Sequence, residues 1–557
     1  MQRRLQALVA MGALALGVGL VCGSVHESKA EKAAKAFASA WRQGDFTRMY
    51  SDLSPDARKR FSPATFRAAY EATGVTATAK RWEIGPATNG PGDAFRVAVS
   101  VVTAAFGPIR GTVDLAVSDS GVDWRPHMSF PGLRAGEQLT RSTQLPPRAA
   151  LLARDGTPFS RLPDIAPQVV GELGPIPPED ADRLRALGYP DDAQVGISGL
   201  QRFLQERIGG RPGGELRAGG RVLGHAEPRA AHAVRTTISP AVERAAITAL
   251  AGRLGGVVAL RPRSGEILAF VGIAFSGLQP PGSTMKIVTL TGALEAKVAT
   301  PKSSYPYATA ATLSGVELDN ANGESCGGTL AVAFAVSCNS VFAPLGAALG
   351  AGRLVAVAER FGFNRAPDIR GAATSTIPPA SEIGDDLAVG SSAIGQGRVQ
   401  ATALQMARVA AAIALHGRLP RLTLELPAQP KHAPAPRIVN AKVARTVGRL
   451  MVGVVRNGTG IRAQIPGVVV AGKTGTAELE TTKKCAPPPP TALGEAPPPE
   501  SCQSATSRTD DTDAWFTAYA PAGKPRIAVS VMLVRNGAGG DTAAPAARGV
   551  LIAGLKR

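Results

Sequence analysis

Apolar residues recur at helical spacing over residues 31–75, where Ala33, Ala34, Phe37, Ala38 and Trp41 share one helix face. Gly44-Asp45 breaks that run, with Asp45 read as a cap or turn residue. The pattern then changes to strand-like alternation over residues 94–118, and a further strand ends near Val122-Asp123-Trp124. Helices followed by an antiparallel sheet predict an α+β unit of about 100 residues. No catalytic grouping stands out in it, and His127 reads as a surface histidine. Residues 130–235 are rich in Pro and Gly, with short helical pieces at 178–187 and 199–207. From Ser239 the texture changes again. A helix over 239–254 leads into strands at 256–260 and 267–272, joined by a turn at 262–265. This reads as the start of a larger α/β unit running to the end of the chain. Residues 486–499 are Pro-rich and cannot form a packed element.

At about 100–200 residues per domain, 557 residues predict three or four units. Four segments follow from the pattern: 1–30, 31–135, 136–238 as linker and pedestal, and 239–557. Residues 5–25 carry no charge and follow Arg3-Arg4, so they read as a membrane anchor with the bulk of the chain outside the cytoplasm. A signal segment cut after Ser28-Lys29-Ala30 is the alternative. The net charge of +19 raises nucleic acid as a partner, but the Arg residues are scattered singly and no basic-aromatic stripe is present. A solvated basic surface beside a membrane or an anionic wall fits better. Cys326, Cys338, Cys485 and Cys502 fall in two sequence-local pairs, and export makes disulfides plausible. Cys485 with Cys502 is the favoured pair, since it closes the Pro-rich stretch. Cys326 with Cys338 is the second pair, with a simply buried Cys338 as its alternative. No spacing calls for a metal or cofactor.

Three short patterns carry the chemistry: Ser283-Thr284-Met285-Lys286, Ser337-Cys338-Asn339 and Lys473-Thr474-Gly475-Thr476. Pro280-Pro281-Gly282 precedes a helical run over 284–297, so Ser283 is placed at a helix start, with Lys286 on the same face. A serine nucleophile needs a base, and a lysine serves only if burial or a nearby positive charge lowers its pKa. Lys473 is the predicted source of that charge. The apolar run 468–472 reads as a buried strand closed by Lys473-Thr474-Gly475. Thr474 and Thr476 can bind a substrate carboxylate beside Lys473, and Gly475 lets substrate approach the strand. The backbone N–H groups of Ser283 and Thr476 are the predicted oxyanion hole. Ser337 and Asn339 are placed in a loop beside Lys286.

This ordered set resembles the active site of the penicillin-binding protein and serine β-lactamase superfamily. The flanks Val257–Ala269, Ala393–Thr402, Asn457–Gly460 and Asp513–Phe516 resemble penicillin-binding transpeptidase domains. Residues 31–135 resemble the nuclear-transport-factor-like extension of class B, monofunctional members. The resemblance implies a β-lactamase/transpeptidase-like C-terminal fold, an antiparallel sheet flanked by helices with a helical subdomain, behind an α+β extension domain. It implies D-Ala-D-Ala transpeptidation of peptidoglycan stem peptides through a Ser283 acyl-enzyme, inhibition by β-lactams, and contact with wall-synthesis proteins. A D,D-carboxypeptidase would use the same residues with water as acceptor. A β-lactam sensor or a scaffold is the non-catalytic alternative, although no motif residue is missing. A β-lactamase would need a deacylating base. Glu382 is the candidate, and its setting lacks the expected neighbouring Asn. The Cys485–Cys502 insert either gates the cleft or forms a solvated loop.

Overall fold

A computed structural model describes residues 27–427, 435–478, 483–485, 502–504 and 512–556. Two compact units emerge. The first runs to Gln144 and takes in Asp182–Pro190 and Pro212–Pro228; the second comprises Leu145–Ala181, Asp191–Arg211 and the chain from Arg229. Residues 136–238 are thus divided between the two units.

In the first unit the predicted helical region is four helices, Lys29–Gln43, Phe46–Ser51, Pro55–Arg60 and Pro63–Thr76. Gly44 ends the first in the left-handed region, and Asp45 caps the second by accepting the Arg48 N–H at 3.0 Å. The 94–118 alternation resolves into a hairpin of Ala94–Thr103 and Pro108–Ser118. A strand that the pattern did not predict, Ala79–Asn89, pairs along the other edge of Ala94–Thr103. Phe37, Phe66, Trp124 and Phe130 fill the space between helices and sheet. The Trp124 indole N–H is satisfied by Tyr70 Oη at 3.1 Å. His127 is half-buried, and burial lowers its pKa.

The second unit is built on an antiparallel sheet. Its strand order is Ile267–Gly272, Gly255–Leu260, Ile527–Leu533, Thr512–Ala520 and Ala471–Glu478. Side chains alternate between its faces. Val257, Ala259 and Val271 join a core with the helices Pro240–Leu250 and Ala543–Leu555. Val258, Leu260 and Phe270 join the larger core with Lys286–Glu295 and Ala403–Ala414. Every side chain of Gly255–Leu260 is buried, which is why that stretch reads as unbroken apolar sequence. Ala471–Glu478 stands last in the strand order, so one of its long sides has no partner strand within this sheet.

Candidate active site

Ser283 lies in a one-turn 3-10 helix, Gly282–Met285, and Lys286 opens the α-helix that continues to Glu295. The serine therefore sits just before the α-helix rather than at its cap. Glycines interlock around it. Gly282 has φ +51°, and a Cβ on it would stand 2.7 Å from the Thr476 carbonyl oxygen. Its N–H donates to the Gly395 carbonyl at 3.0 Å. A Cβ on Gly395 would lie 2.1 Å from the Gly282 oxygen. A Cβ on Gly475 would lie 2.8 Å from the Pro281 oxygen. Gly475 is thus needed where strand packs on serine turn, a stronger constraint than the substrate approach read from the sequence. These contacts bring the backbones of Ser283 and Thr476 side by side.

The second motif follows the helix Leu330–Ala335. Ser337 takes a left-handed backbone conformation, φ +66°, uncommon for a residue with a side chain. Asn339 is the first residue of the helix Asn339–Leu349. Lys286 Nζ donates to Asn339 Oδ1 at 2.6 Å and to the Ser337 carbonyl at 2.7 Å, with Ser337 Oγ at 3.5 Å. Among the described residues Ser283 Oγ makes no hydrogen bond. Its predicted partner, Lys286, is turned toward the Ser337 arm, and catalytic hydrogen bonds often close only when substrate is bound. Cys338 forms a disulfide with Cys326.

The third motif lies inside the strand Ala471–Glu478, not at the end of a strand over 468–472. Lys473 Nζ donates to Ser337 Oγ at 2.8 Å and to the Thr474 carbonyl at 2.9 Å. Ser337 Oγ thus stands between two lysines. The Gly539 N–H donates to Thr476 Oγ1 at 3.3 Å, which leaves the threonine proton free to point elsewhere. Thr459, from the Asn457–Gly460 stretch, shares a 2.5 Å hydrogen bond with Thr474 Oγ1 and donates its own N–H to Ala335 at 3.1 Å. The Asn457–Gly460 stretch resembles the family in sequence, but no sequence signal singles out Thr459 for this contact.

Both lysines are fully buried. Burial, with the Lys473 charge as the smaller cause, holds Lys286 well below the usual lysine range. Lys473 thus supplies the charge expected from the motif spacing, but burial is the larger effect. Burial brings Lys473 down to about 7. Each ammonium also faces an aromatic ring, Lys286 at 5.5 Å from Phe342 and Lys473 at 5.7 Å from Phe334.

The structure therefore gathers Lys286, Ser337, Asn339, Lys473 and Thr474 into one hydrogen-bonded cluster, with Thr476 against the Ser283 turn. Glu382 is exposed on the short helix Ala380–Ile383. Cys485 and Cys502 face each other in a short antiparallel pair of backbone segments, but their side chains lie outside the described residues.

Residues 255–488 match the penicillin binding protein transpeptidase domain, and residues 29–137 match the NTF2-like N-terminal transpeptidase domain. The peptidoglycan D,D-transpeptidase PbpA of Mycolicibacterium smegmatis is 32% identical over 401 residues, which span 59% of this chain and 74% of the relative. The D,D-transpeptidase domain of a peptidoglycan glycosyltransferase from Eggerthella lenta superposes with a TM-score of 0.56 at 26% identity, covering 73% of this chain and 98% of that one. A ceftriaxone acyl-enzyme complex of penicillin-binding protein A from Mycobacterium tuberculosis gives 0.54 at 25% identity, covering 73% and 98%. The fold and site define a serine acyltransferase of the penicillin-binding type. The chain belongs to the penicillin-binding transpeptidase family, in the group that carries an NTF2-like extension.

Proposed function

We propose that this protein is a peptidoglycan D,D-transpeptidase that cross-links stem peptides through an acyl-enzyme on Ser283 and is acylated at the same atom by β-lactams. The observation that carries the reading is Ser337 Oγ, held between the Nζ atoms of two buried lysines of lowered pKa. Neutral Lys286 takes the Ser283 proton as Oγ attacks the carbonyl of the penultimate D-Ala. Charge developing on that carbonyl oxygen is met by the backbone N–H groups of Ser283 and Thr476. The leaving D-Ala nitrogen needs a proton, and Ser337 Oγ passes one from the lysine pair. Charged Lys473, with Thr474 and Thr476, binds the terminal carboxylate. Asn339 orients the donor amide. An amine from a neighbouring stem peptide then displaces Ser283.

The apolar run 5–25 lies outside the described residues, and among those described no single helix is long and apolar enough to cross a membrane. Its composition supports an N-terminal anchor with the catalytic unit on the outer face, near the wall-synthesis proteins with which it would work. The test is mass spectrometry of products from a pentapeptide donor and a stem-peptide acceptor. Cross-linked dimer absent from wild type and replaced by tetrapeptide would make the protein a carboxypeptidase. Ser283→Ala should give neither product and no penicillin adduct.

A further inference from the structure

The residue between Ser337 and Asn339 is Cys338, whose bond to Cys326 joins this arm to the segment 304–329. Cys326 begins the strand Cys326–Thr329, which pairs with Ser304–Ala308. Further ties run the same way. Asn320, nearly fully buried, accepts the Ser340 N–H at 2.8 Å and donates to the Ala308 carbonyl at 2.8 Å and the Glu324 carbonyl at 2.9 Å. Asn339 Nδ2 donates to the Asp319 carbonyl at 3.0 Å. That bond fixes which end of the amide faces Lys286, since the other end, Oδ1, accepts a hydrogen bond from Lys286 Nζ at 2.6 Å. Ser337 keeps its left-handed backbone only while its surroundings over-determine it.

We infer that the Cys326–Cys338 disulfide is a positioning element for acylation: it presses the Ser337-Cys338-Asn339 arm onto Lys286 and keeps that lysine dry. The inference rests on the proposed acylation of Ser283. A cross-link that served stability alone could sit anywhere in the unit. This one ends on the residue flanked by both side chains that hold the base. Without it, the arm stays tied by Asn320 and Asp319 but loses its covalent stop. Water then reaches Lys286, and its pKa climbs back toward that of an ordinary lysine, because burial was what lowered it.

The test uses the full chain carrying Cys326→Ala, which removes the distant partner and leaves the motif residues intact. Penicillin acylation is followed to saturation, so that the maximal rate and the half-saturating concentration separate, and is repeated across pH. The maximal rate should fall on the order of 10- to 100-fold, as for a catalytic group displaced by about 1 Å. The acid limb of the pH profile should move to higher pH. A loss of stability alone would shrink the labelled fraction without moving that limb. If Cys326→Ala does not fold, the same profile is taken on Cys326→Val/Cys338→Val, which fills the space of the sulfurs. An unchanged limb and a maximal rate within about twofold of wild type, in either folded variant, would overturn the inference. Wild type that takes no penicillin at Ser283 would instead overturn the proposed function.

Discussion

Gly475 meets Pro281 so closely that a methyl group on the glycine would stand 2.8 Å from the proline carbonyl oxygen. The same methyl would be 2.9 Å from Trp515 Cβ and 3.0 Å from Thr284 Cγ2, so it has nowhere to go. Gly475→Ala should push the strand off the serine turn. Overpacking of this kind costs about 1–3 kcal/mol. Urea unfolding should show that loss, and penicillin labelling should fall far more than the folded fraction does. Normal labelling in a destabilised variant would mean that strand and turn can separate without harm to the site.

Acylation should have a bell-shaped dependence on pH. Lys286 works as a base only when neutral, so the rate climbs with pH through its lowered pKa. Lys473 must be charged to meet a carboxylate, and that charge is lost as pH rises past about 7 in the free enzyme. The apparent second-order rate constant for penicillin should therefore fall on the alkaline side. Lys473→Arg stays protonated throughout. It should react more slowly and lose the alkaline limb. An alkaline limb that persists in Lys473→Arg assigns that ionisation to another group.

Thr459 should act in recognition rather than in bond making. It is exposed, and its hydroxyl bonds Thr474 Oγ1, in the set that would bind the substrate carboxylate. Thr459→Val should raise the half-saturating concentration of penicillin by roughly tenfold, the equivalent of about 1.4 kcal/mol and the scale of one hydrogen bond near a charge. The maximal acylation rate should change little. A fall in that rate with unchanged saturation would relocate Thr459 into the chemical step.

The penicilloyl-enzyme should be long-lived. Hydrolysis needs a base holding water against the ester, and Glu382, the candidate from sequence, is exposed on a separate short helix. A labelled adduct should outlast removal of free drug by many minutes. Decay within seconds would place the protein with the β-lactamases.

Cys485 and Cys502 stand opposite each other in an antiparallel backbone pair. Peptide mapping without reductant should recover them joined. Free thiols at both positions would leave the insert held by its backbone alone.

The three motifs were legible because each packs its chemistry into a few consecutive residues: Ser283 with Lys286, Ser337 with Asn339, Lys473 with its threonines. Helix spacing places Ser283 and Lys286 close in sequence on one face, but Ser283 lies in the 3-10 turn before the α-helix and Lys286 Nζ is turned to Asn339 and the Ser337 carbonyl. What escaped was set by distant parts of the chain. The strand Ala79–Asn89 contains Gly85, Pro86 and several charged residues, and it is a strand because Ala94–Thr103 offers it a register. The run 468–472 suggested a strand that stops at Lys473, whereas the pairing of Ala471–Glu478 with Thr512–Ala520 carries it through the motif. Gly213–Ala218 pairs with Arg221–Ala226 on one side and with Leu139–Gln144 on the other inside the first unit, although both later strands follow a stretch that belongs to the second. Such interleaving leaves no mark on composition. The roles of Asn320 and Thr459 were equally hidden, since each is a polar residue whose partner lies tens of residues or more away in places, from Ser340 to Ala335.

The wall behind the nucleophile is made of main chain. Gly282, Gly395 and Gly475 meet carbonyl groups at distances that leave no room for a side chain. Substitution changes side chains and leaves the main chain in place, so this inner wall is closed to gradual adaptation. Under drug pressure, variants that exclude a β-lactam while sparing the natural donor must arise at the rim, among residues such as Thr459 whose side chains are already exposed. An inhibitor that drew its affinity from the glycine wall and ignored the rim would give resistance few places to start.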